Sequence, residues 1–300
     1  MKQFYLSSYD LLWRFWNRIS YTLKPRELGR RQDTYPYLSS DGYALRSCYR
    51  IERNSTTEQI EDVVERLPTN SVLYIPGHLV HQTSLIVESR KKDIRKVIIA
   101  DDDDTQNIDS LRVLTQHVQL IQSVNLVELQ DGLSPLPLGL ESPSYRSGGR
   151  LIDFKKKPSH RVADRPISFL VAWNPNTNNS KRLEAISHFK SASDTSIHEK
   201  RITARTVHKL MRRSLFVPCP RGNGVDSHRI WEAIYLGSIP VVLKEDSFPA
   251  LIDWPIWIVD SWSEVIKNSR LELEAKYKSL VKSHSEIMDH SMKIYGEISK

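Results

Sequence analysis

Ser214 to Leu243 reads SLFVPCPRGNGVDSHRIWEAIYLGSIPVVL. The apolar run Leu215-Phe216-Val217, stopped by Pro218, predicts one strand, and Ile239 to Leu243, rich in β-branched residues, predicts a second that is buried on both faces. A helix lies between them. Asp226 or Ser227 can cap its start by accepting from unpaired backbone N–H groups, and Gly237 stands where a helix end calls for positive φ. The order β-loop-α-β is that of an open parallel sheet.

Ligands of such sheets gather outside the carboxyl ends of the strands, which puts Pro218 to Asp226 at the expected binding position. Gly222 and Gly224, flanking polar Asn223, let the backbone come close to a ligand. Arg221 and the positive end of the following helix suit a phosphate or diphosphate. Glu232 comes four residues after His228 and three after Arg229, so all three share a helix face that begins at the loop. A carboxylate there is placed to accept from sugar hydroxyls, and the combination reads as a nucleotide site. The loop is not a P-loop, since neither Lys-Ser nor Lys-Thr follows the glycines, and it lacks GxGxxG spacing. The plainer reading makes PRGNG a glycine turn, Arg229 and Glu232 a helix-surface ion pair, and Trp231 and Tyr235 core.

The longer run CPRGNGVDSHRIWEAIYLGSIPVVL resembles the C-terminal donor-site signature of the exostosin-like glycosyltransferases. In that family a Pro-Arg-Gly loop, a Ser-x-Arg pair, a helix Glu and a Gly-x-Ile-Pro-Val strand recur in this order. The resemblance implies α/β architecture of GT-B type, two Rossmann-like domains with parallel sheets facing a cleft. It places Arg221 and Arg229 near the diphosphate of a nucleotide-sugar donor, Ser227 near phosphate at the helix start, and Glu232 on the ribose. It further implies inverting, metal-independent transfer to a hydroxyl of a glycan or glycolipid acceptor in polysaccharide biosynthesis. The nucleotide-sugar is then a substrate, and neither a cofactor nor a metal is expected. Weaker echoes run through Leu136 to Glu141 and Phe169 to Arg182.

Three hundred residues suffice for two domains with separate cores. The net charge of +7 favours polyanionic partners. Nucleic acid is not expected, because no basic stripe interleaved with aromatics and no helix-turn-helix pattern occurs. Cys48 and Cys219 lack metal-ligand spacing and fit a reducing, cytoplasmic location. Near the N-terminus, Leu11, Leu12, Phe15, Trp16 and Ile19 repeat at helical spacing beside Arg14, Arg18, Lys24 and Arg26. Such a helix packs on its own domain or lies peripherally on an anionic membrane.

The predicted boundaries are 1–141 for the acceptor-side domain, 142–166 for a polar linker, and 167–300 for the donor-binding domain with terminal helices. In the first domain, Asp41 to Tyr49 reads as extended or irregular and Thr56 to Leu67 as a helix capped by Thr56 or Thr57. Val72 to Ile75 follows as a strand, Leu85 to Lys92 as a helix and Val97 to Ala100 as a strand. Leu111 to Leu120 then reads as a helix and Leu126 to Leu129 as a strand. His78 and His81 follow one strand and Asp101 to Asp104 another. Four adjacent carboxylates read foremost as a solvated loop or cap, and Asp101-x-Asp103 is not taken as a metal motif. No residue is assigned as base; Asp101, Asp102, His78 and His81 are the candidates. In the second domain, Ile167 to Trp173 is the first strand, and Arg182 opens the helix after its polar loop; in the resembling family a loop in this place approaches the donor, so Arg182 either touches phosphate or is a solvated first-turn residue. The cationic stretch Arg201 to Arg213 reads as a solvated face, and His284 and His290 as solvent-facing.

Two readings outside catalysis remain: a nucleotide- or glycan-binding protein that keeps the fold without turnover, and a membrane-surface, polyanion-binding protein.

Overall fold

The computed structural model of the chain describes residues 31–102, 108–143, 151–173, 177–200 and 202–299. The amphipathic N-terminal segment, Asp103, Asp104 and Arg201 lie outside these residues. Two five-stranded, wholly parallel sheets form the frame.

The first half runs α1 (Ser40–Arg46), β1 (Tyr49–Arg50), α2 (Thr57–Glu65), β2 (Val72–Pro76), α3 (Val80–Arg90), β3 (Ile94–Ala100), α4 (Ile108–Thr115), β4 (Val118–Ser123) and β5 (Leu133–Pro135). Its strands pair in chain order, β1-β2-β3-β4-β5. A short helix α5 (Leu151–Phe154) precedes the second half. That half comprises β6 (Ile167–Val171), α6 (Asn179–Phe189), β7 (Thr195–Ile197), α7 (Ala204–Met211), β8 (Ser214–Pro218), α8 (His228–Tyr235), β9 (Ile239–Leu243), β10 (Trp257–Val259), α9 (Trp262–Ile266), α10 (Arg270–Leu280) and α11 (His284–Ser299). Its order is β10-β9-β8-β6-β7. The chain therefore reverses direction between β6, with β7 on one side, and β8 on the other. That reversal marks a switch point at the carboxyl ends of β6 and β8, where open parallel sheets hold their ligands. The first sheet has no such reversal.

Local chemistry accounts for several boundaries. Thr56 accepts from Gln59 N–H while the Gln59 side chain accepts from Thr56 N–H, a reciprocal box that starts α2. Ser227 caps α8, and Gly237 leaves it at φ +78°, where an added Cβ would stand 2.5 Å from a nitrogen of Arg165. Three elements differ from the sequence expectation. Ser40 to Arg46 is a helix, because Ser39 caps it and Tyr43 and Ala44 are fully buried. The helix from Ile108 stops at Thr115, and β4 begins at Val118 inside the stretch read as helical. Leu126 to Leu129 is not a strand; β5 starts at Leu133.

The halves share one apolar core in which Tyr43, Tyr74 and Ile98 are continuous with Val217, Trp231, Tyr235 and Ile298. The terminal helix α11 packs against both α1 and α8. Its Tyr295 hydroxyl donates to the Tyr37 carbonyl at 2.7 Å, and Tyr235 Oη accepts Leu38 N–H at 3.1 Å. His290 is half-buried with its ring 4.6 Å from that of Trp254, and His284 is also half-buried, so neither simply faces solvent. No helix of the described residues is long and apolar enough to cross a membrane.

Candidate functional site

The loop after β8 begins at buried Cys219 and ends at Asp226, which is 4 % exposed. Asp226 joins the halves. Its carboxylate accepts Leu138 N–H at 2.8 Å, Trp231 Nε1–H at 2.7 Å and Ser227 N–H at 2.6 Å. Its own N–H donates to Asn125 Oδ1 at 2.9 Å, just beyond the carboxyl end of β4. Asn125 also donates to the Asp102 carbonyl at 3.1 Å, and a nitrogen of the His228 ring bonds the Gly139 carbonyl at 2.8 Å. The carboxyl ends of the two sheets thus meet through hydrogen bonds. Burial pushes the Asp226 carboxyl up to about 7 against these donors.

This arrangement modifies one expectation. Ser227 N–H is taken by Asp226, and Arg229 N–H by the Ser227 hydroxyl at 3.2 Å. The start of α8 therefore offers fewer backbone donors than the sequence suggests, although the Ser227 O–H can still donate.

Cations gather there instead. Arg182, in the first turn of α6, lies against Gly222, where an added Cβ would be 3.1 Å from its Nη2. Burial and then the neighbouring Arg229 hold its guanidinium below the usual range. Asn178 Nδ2 ties the same turn to the Gly222 carbonyl at 3.2 Å. Arg221 bends back to the Asn223 carbonyl at 3.2 Å. Lys181 pairs with Glu245 and, at 3.4 Å, with buried Asp246. Burial raises the Asp246 carboxyl, while Lys181 and Arg221 act in the other direction. The fold thus brings Arg182 of α6 to Gly222 and to Arg229 of α8, next to the Ser227 cap, while Arg221 of the same loop turns to Asn223 and faces Asp246. Gly224 is buried in the same loop.

Glu232 completes the cluster. Its Oε2 accepts from Arg229 Nη1 at 2.6 Å, and its Oε1 faces His208 Nε2 at 3.4 Å. His208 Nδ1 in turn lies 2.9 Å from Asp153 Oδ2 in α5. Burial alone would raise the Glu232 carboxyl; Arg229 and His208 outweigh it and bring it down to about 2. A carboxylate with about four acceptor directions still has capacity for ligand hydroxyls after two are used.

Sequence reading missed His208, Asp153, Lys181 and Asn125 as members of this neighbourhood, whereas Lys244 to Asp246, at the carboxyl end of the strand before it, was expected near the donor sugar. The solvated-face reading of Arg201 to Arg213 fails at His208, which is 2 % exposed. The only local hint is the amphipathic pattern of α7, which puts Val207, His208 and Met211 inward.

The four candidate bases separate. Asp101 is no solvated cap: its oxygens receive Arg31 at 2.7 Å and Arg53 at 2.8 Å, and both arginines also contact Asp41. Against burial, Arg53 and Arg31 hold its carboxyl below the usual range, which makes it a weak base. Asp102 is half-buried beside Asn125. His81 Nδ1 bonds Ser110 Oγ at 3.1 Å. His78 is exposed just past the carboxyl end of β2, with Nε2 2.9 Å from the Arg53 carbonyl. A carbonyl only accepts, so Nε2 carries the proton and, in the neutral ring, Nδ1 keeps its lone pair. Among the described residues, no three His, Cys, Asp or Glu side chains gather to hold a metal.

No curated protein matches the chain. Among solved structures, the α,α-trehalose-phosphate synthase (UDP-forming) from Burkholderia vietnamiensis is similar at 9 % identity and a TM-score of 0.44. That match covers 93 % of this chain and 84 % of the synthase. The Exostosin GT47 domain matches residues 101–286, which include β4, β5 and the whole second sheet. Two parallel-sheet halves meeting at their carboxyl ends, with a cation-lined switch point, make a GT-B-type architecture, and over more than half its length the chain belongs to the exostosin GT47 family of glycosyltransferases.

Proposed function

We propose that the enzyme transfers a sugar from a nucleotide-sugar diphosphate, bound at the switch point of the second sheet, to a hydroxyl of a glycan or glycolipid acceptor held against the first half. The observation that carries this reading is Arg182 held against Gly222 with Arg229 beside it, in the loop that carries Arg221, and Glu232 paired to Arg229. Like charges held together gain from an anion between them, and a diphosphate gains charge as the glycosidic bond breaks. Arginines aimed at that charge need no metal to stabilise the leaving group. Glu232 receives the ribose hydroxyls, and the Ser227 hydroxyl donates to a phosphate oxygen.

For the acceptor half, His78 is the base of choice among the four candidates. Its Nδ1 lone pair takes the acceptor proton as the hydroxyl oxygen attacks the anomeric carbon from the face opposite the diphosphate, which inverts that centre. The reading includes a cytoplasmic enzyme of polysaccharide biosynthesis whose basic, aromatic N-terminal segment touches an anionic membrane. Loss of co-sedimentation with phosphatidylserine vesicles on deleting residues before Arg26 would test that contact.

A thermal-shift series with UDP, GDP, ADP, CMP and dTDP tests the donor site. A bound nucleotide at about a hundred times its Kd stabilises the fold by roughly 2.7 kcal/mol. An unchanged melting temperature with all five would remove the donor reading.

A further inference from the structure

We infer that His208 and Asp153 are positioning residues for Glu232, holding its carboxylate ready for the ribose hydroxyls and tying nucleotide recognition to the segment that joins the two sheets. The inference rests on the donor reading above.

The geometry is specific. The His208 side chain is 3 % exposed and lies between two carboxylates, with Nδ1 2.9 Å from Asp153 and Nε2 3.4 Å from Glu232. A neutral imidazole has one donor and would point a lone pair at one of these acceptors; only the protonated ring donates to both. Burial opposes that charge, but Asp153 and Glu232 outweigh it and raise the His208 pKa. Phe154 packs on the ring with centroids 4.9 Å apart, so an apolar side chain would serve packing alone. A charged imidazole between carboxylates costs desolvation that such a residue would avoid.

The orientation follows from the second contact of Glu232. Arg229 pulls Oε2 towards the start of α8, and His208 holds Oε1 from the side of α7. Gripped at both oxygens, the carboxylate keeps one rotamer. Asp153 sits in α5, between the sheets in the chain, and Arg212, which caps the end of α7, donates to its carbonyl at 2.8 Å. The charged or titratable groups around the pair are Asp153 from α5, Arg212 at the end of α7, Arg229, His228 and Glu232 from α8, and Cys219 from the β8 loop. The carboxylate facing each imidazole nitrogen makes protonation the favourable state. As pH rises through the raised pKa, His208 loses a proton, one contact fails and Glu232 is released.

The test is calorimetric titration of the full chain with UDP, GDP and ADP and with their 2′-deoxy and 3′-deoxy counterparts. A hydroxyl bonded to a charged group predicts about ten-fold tighter binding of the ribose form by the parent enzyme. In His208→Leu the nucleotide still binds through the arginines, and this ratio falls towards one. In Asp153→Asn the packing is kept, and the ratio collapses at a lower pH than in the parent; this variant decides the matter if His208→Leu does not fold. A merely structural role would lower the melting temperature and leave the ratio and its pH profile intact, which would overturn the inference. Parent enzyme that binds nucleotide without preference for ribose would overturn it while sparing the donor site; absence of any nucleotide binding would end both.

Discussion

The carboxylate of Asp226 accepts the backbone N–H of Leu138 at 2.8 Å, so one buried side chain in the donor loop is bonded to the exit of the first sheet. Trp231 and Ser227 donate to its other oxygen. In Asp226→Asn a single oxygen must serve three donors, and the amide N–H groups then face Leu138 or Trp231. The expected loss is about 1–3 kcal/mol, the penalty of a buried donor left without a partner. It should appear as a lower urea midpoint. An unchanged midpoint would show that the junction does not depend on this carboxylate.

Arg182 meets Gly222 closely enough that one methyl group should move it. In Gly222→Ala the new Cβ lies 3.1 Å from Nη2, the flexible end of the side chain. The fold should tolerate the change while the guanidinium shifts. Nucleotide affinity should therefore fall with no change in melting temperature. Arg182→Ala and Arg229→Ala each remove a charged contact of about 1.5–3 kcal/mol, which lowers turnover about ten- to a hundred-fold. Normal kinetics in both would show that the cations do not meet a diphosphate.

Sequence reading reached what local chemistry controls. The Ser227 cap, the positive φ at Gly237 and the Thr56 cap depend on residues within one turn of each other. The long donor motif likewise keeps Arg221, Arg229 and Glu232 in one short segment. The partner of Glu232 was invisible because His208 is 24 residues away and Asp153 a further 55 from His208. In Arg201 to Arg213 the surrounding cations mask the inward-facing histidine. Asp101 was misread for a similar reason: its neighbours in sequence are carboxylates, whereas its neighbours in space are Arg31 and Arg53. The helix Ser40–Arg46 forms under tertiary packing, with Gly42 against the Tyr295 hydroxyl from the far end of the chain.

The buried pair Glu232 and His208 gives stability a defined pH dependence. The Glu232 pKa is lowered from 4.5 to about 2, so its contribution is complete above about 4.5 and disappears as pH falls through about 2. The His208 pKa is raised from 6.5, so its contribution is complete below 6.5 and disappears as pH rises through the raised value. For this pair the favourable window lies between about pH 4.5 and 6.5. Subtracting the melting curve of Glu232→Gln from that of the parent should give a difference that is largest in this window and shrinks on the acid side. A difference that does not vary with pH would contradict the pairing.

His78 and Asp101 stand near each other through Arg53, whose carbonyl accepts from His78 while its guanidinium pairs with Asp101. Their removal should have opposite consequences. Asp101→Ala leaves Arg31 and Arg53 facing only Asp41 and Glu52 among these carboxylates, and loss of a buried ion-pair partner costs about 3–5 kcal/mol. Stability should suffer first, with turnover falling only as far as folded protein is lost. His78 is exposed, so His78→Ala should leave the melting temperature unchanged. Removal of a general base lowers kcat by about 10²–10⁴-fold, with donor affinity unchanged. Turnover that persists in His78→Ala would move the base elsewhere. Turnover abolished in a fully folded Asp101→Ala would return that role to the aspartate, in spite of its two arginines.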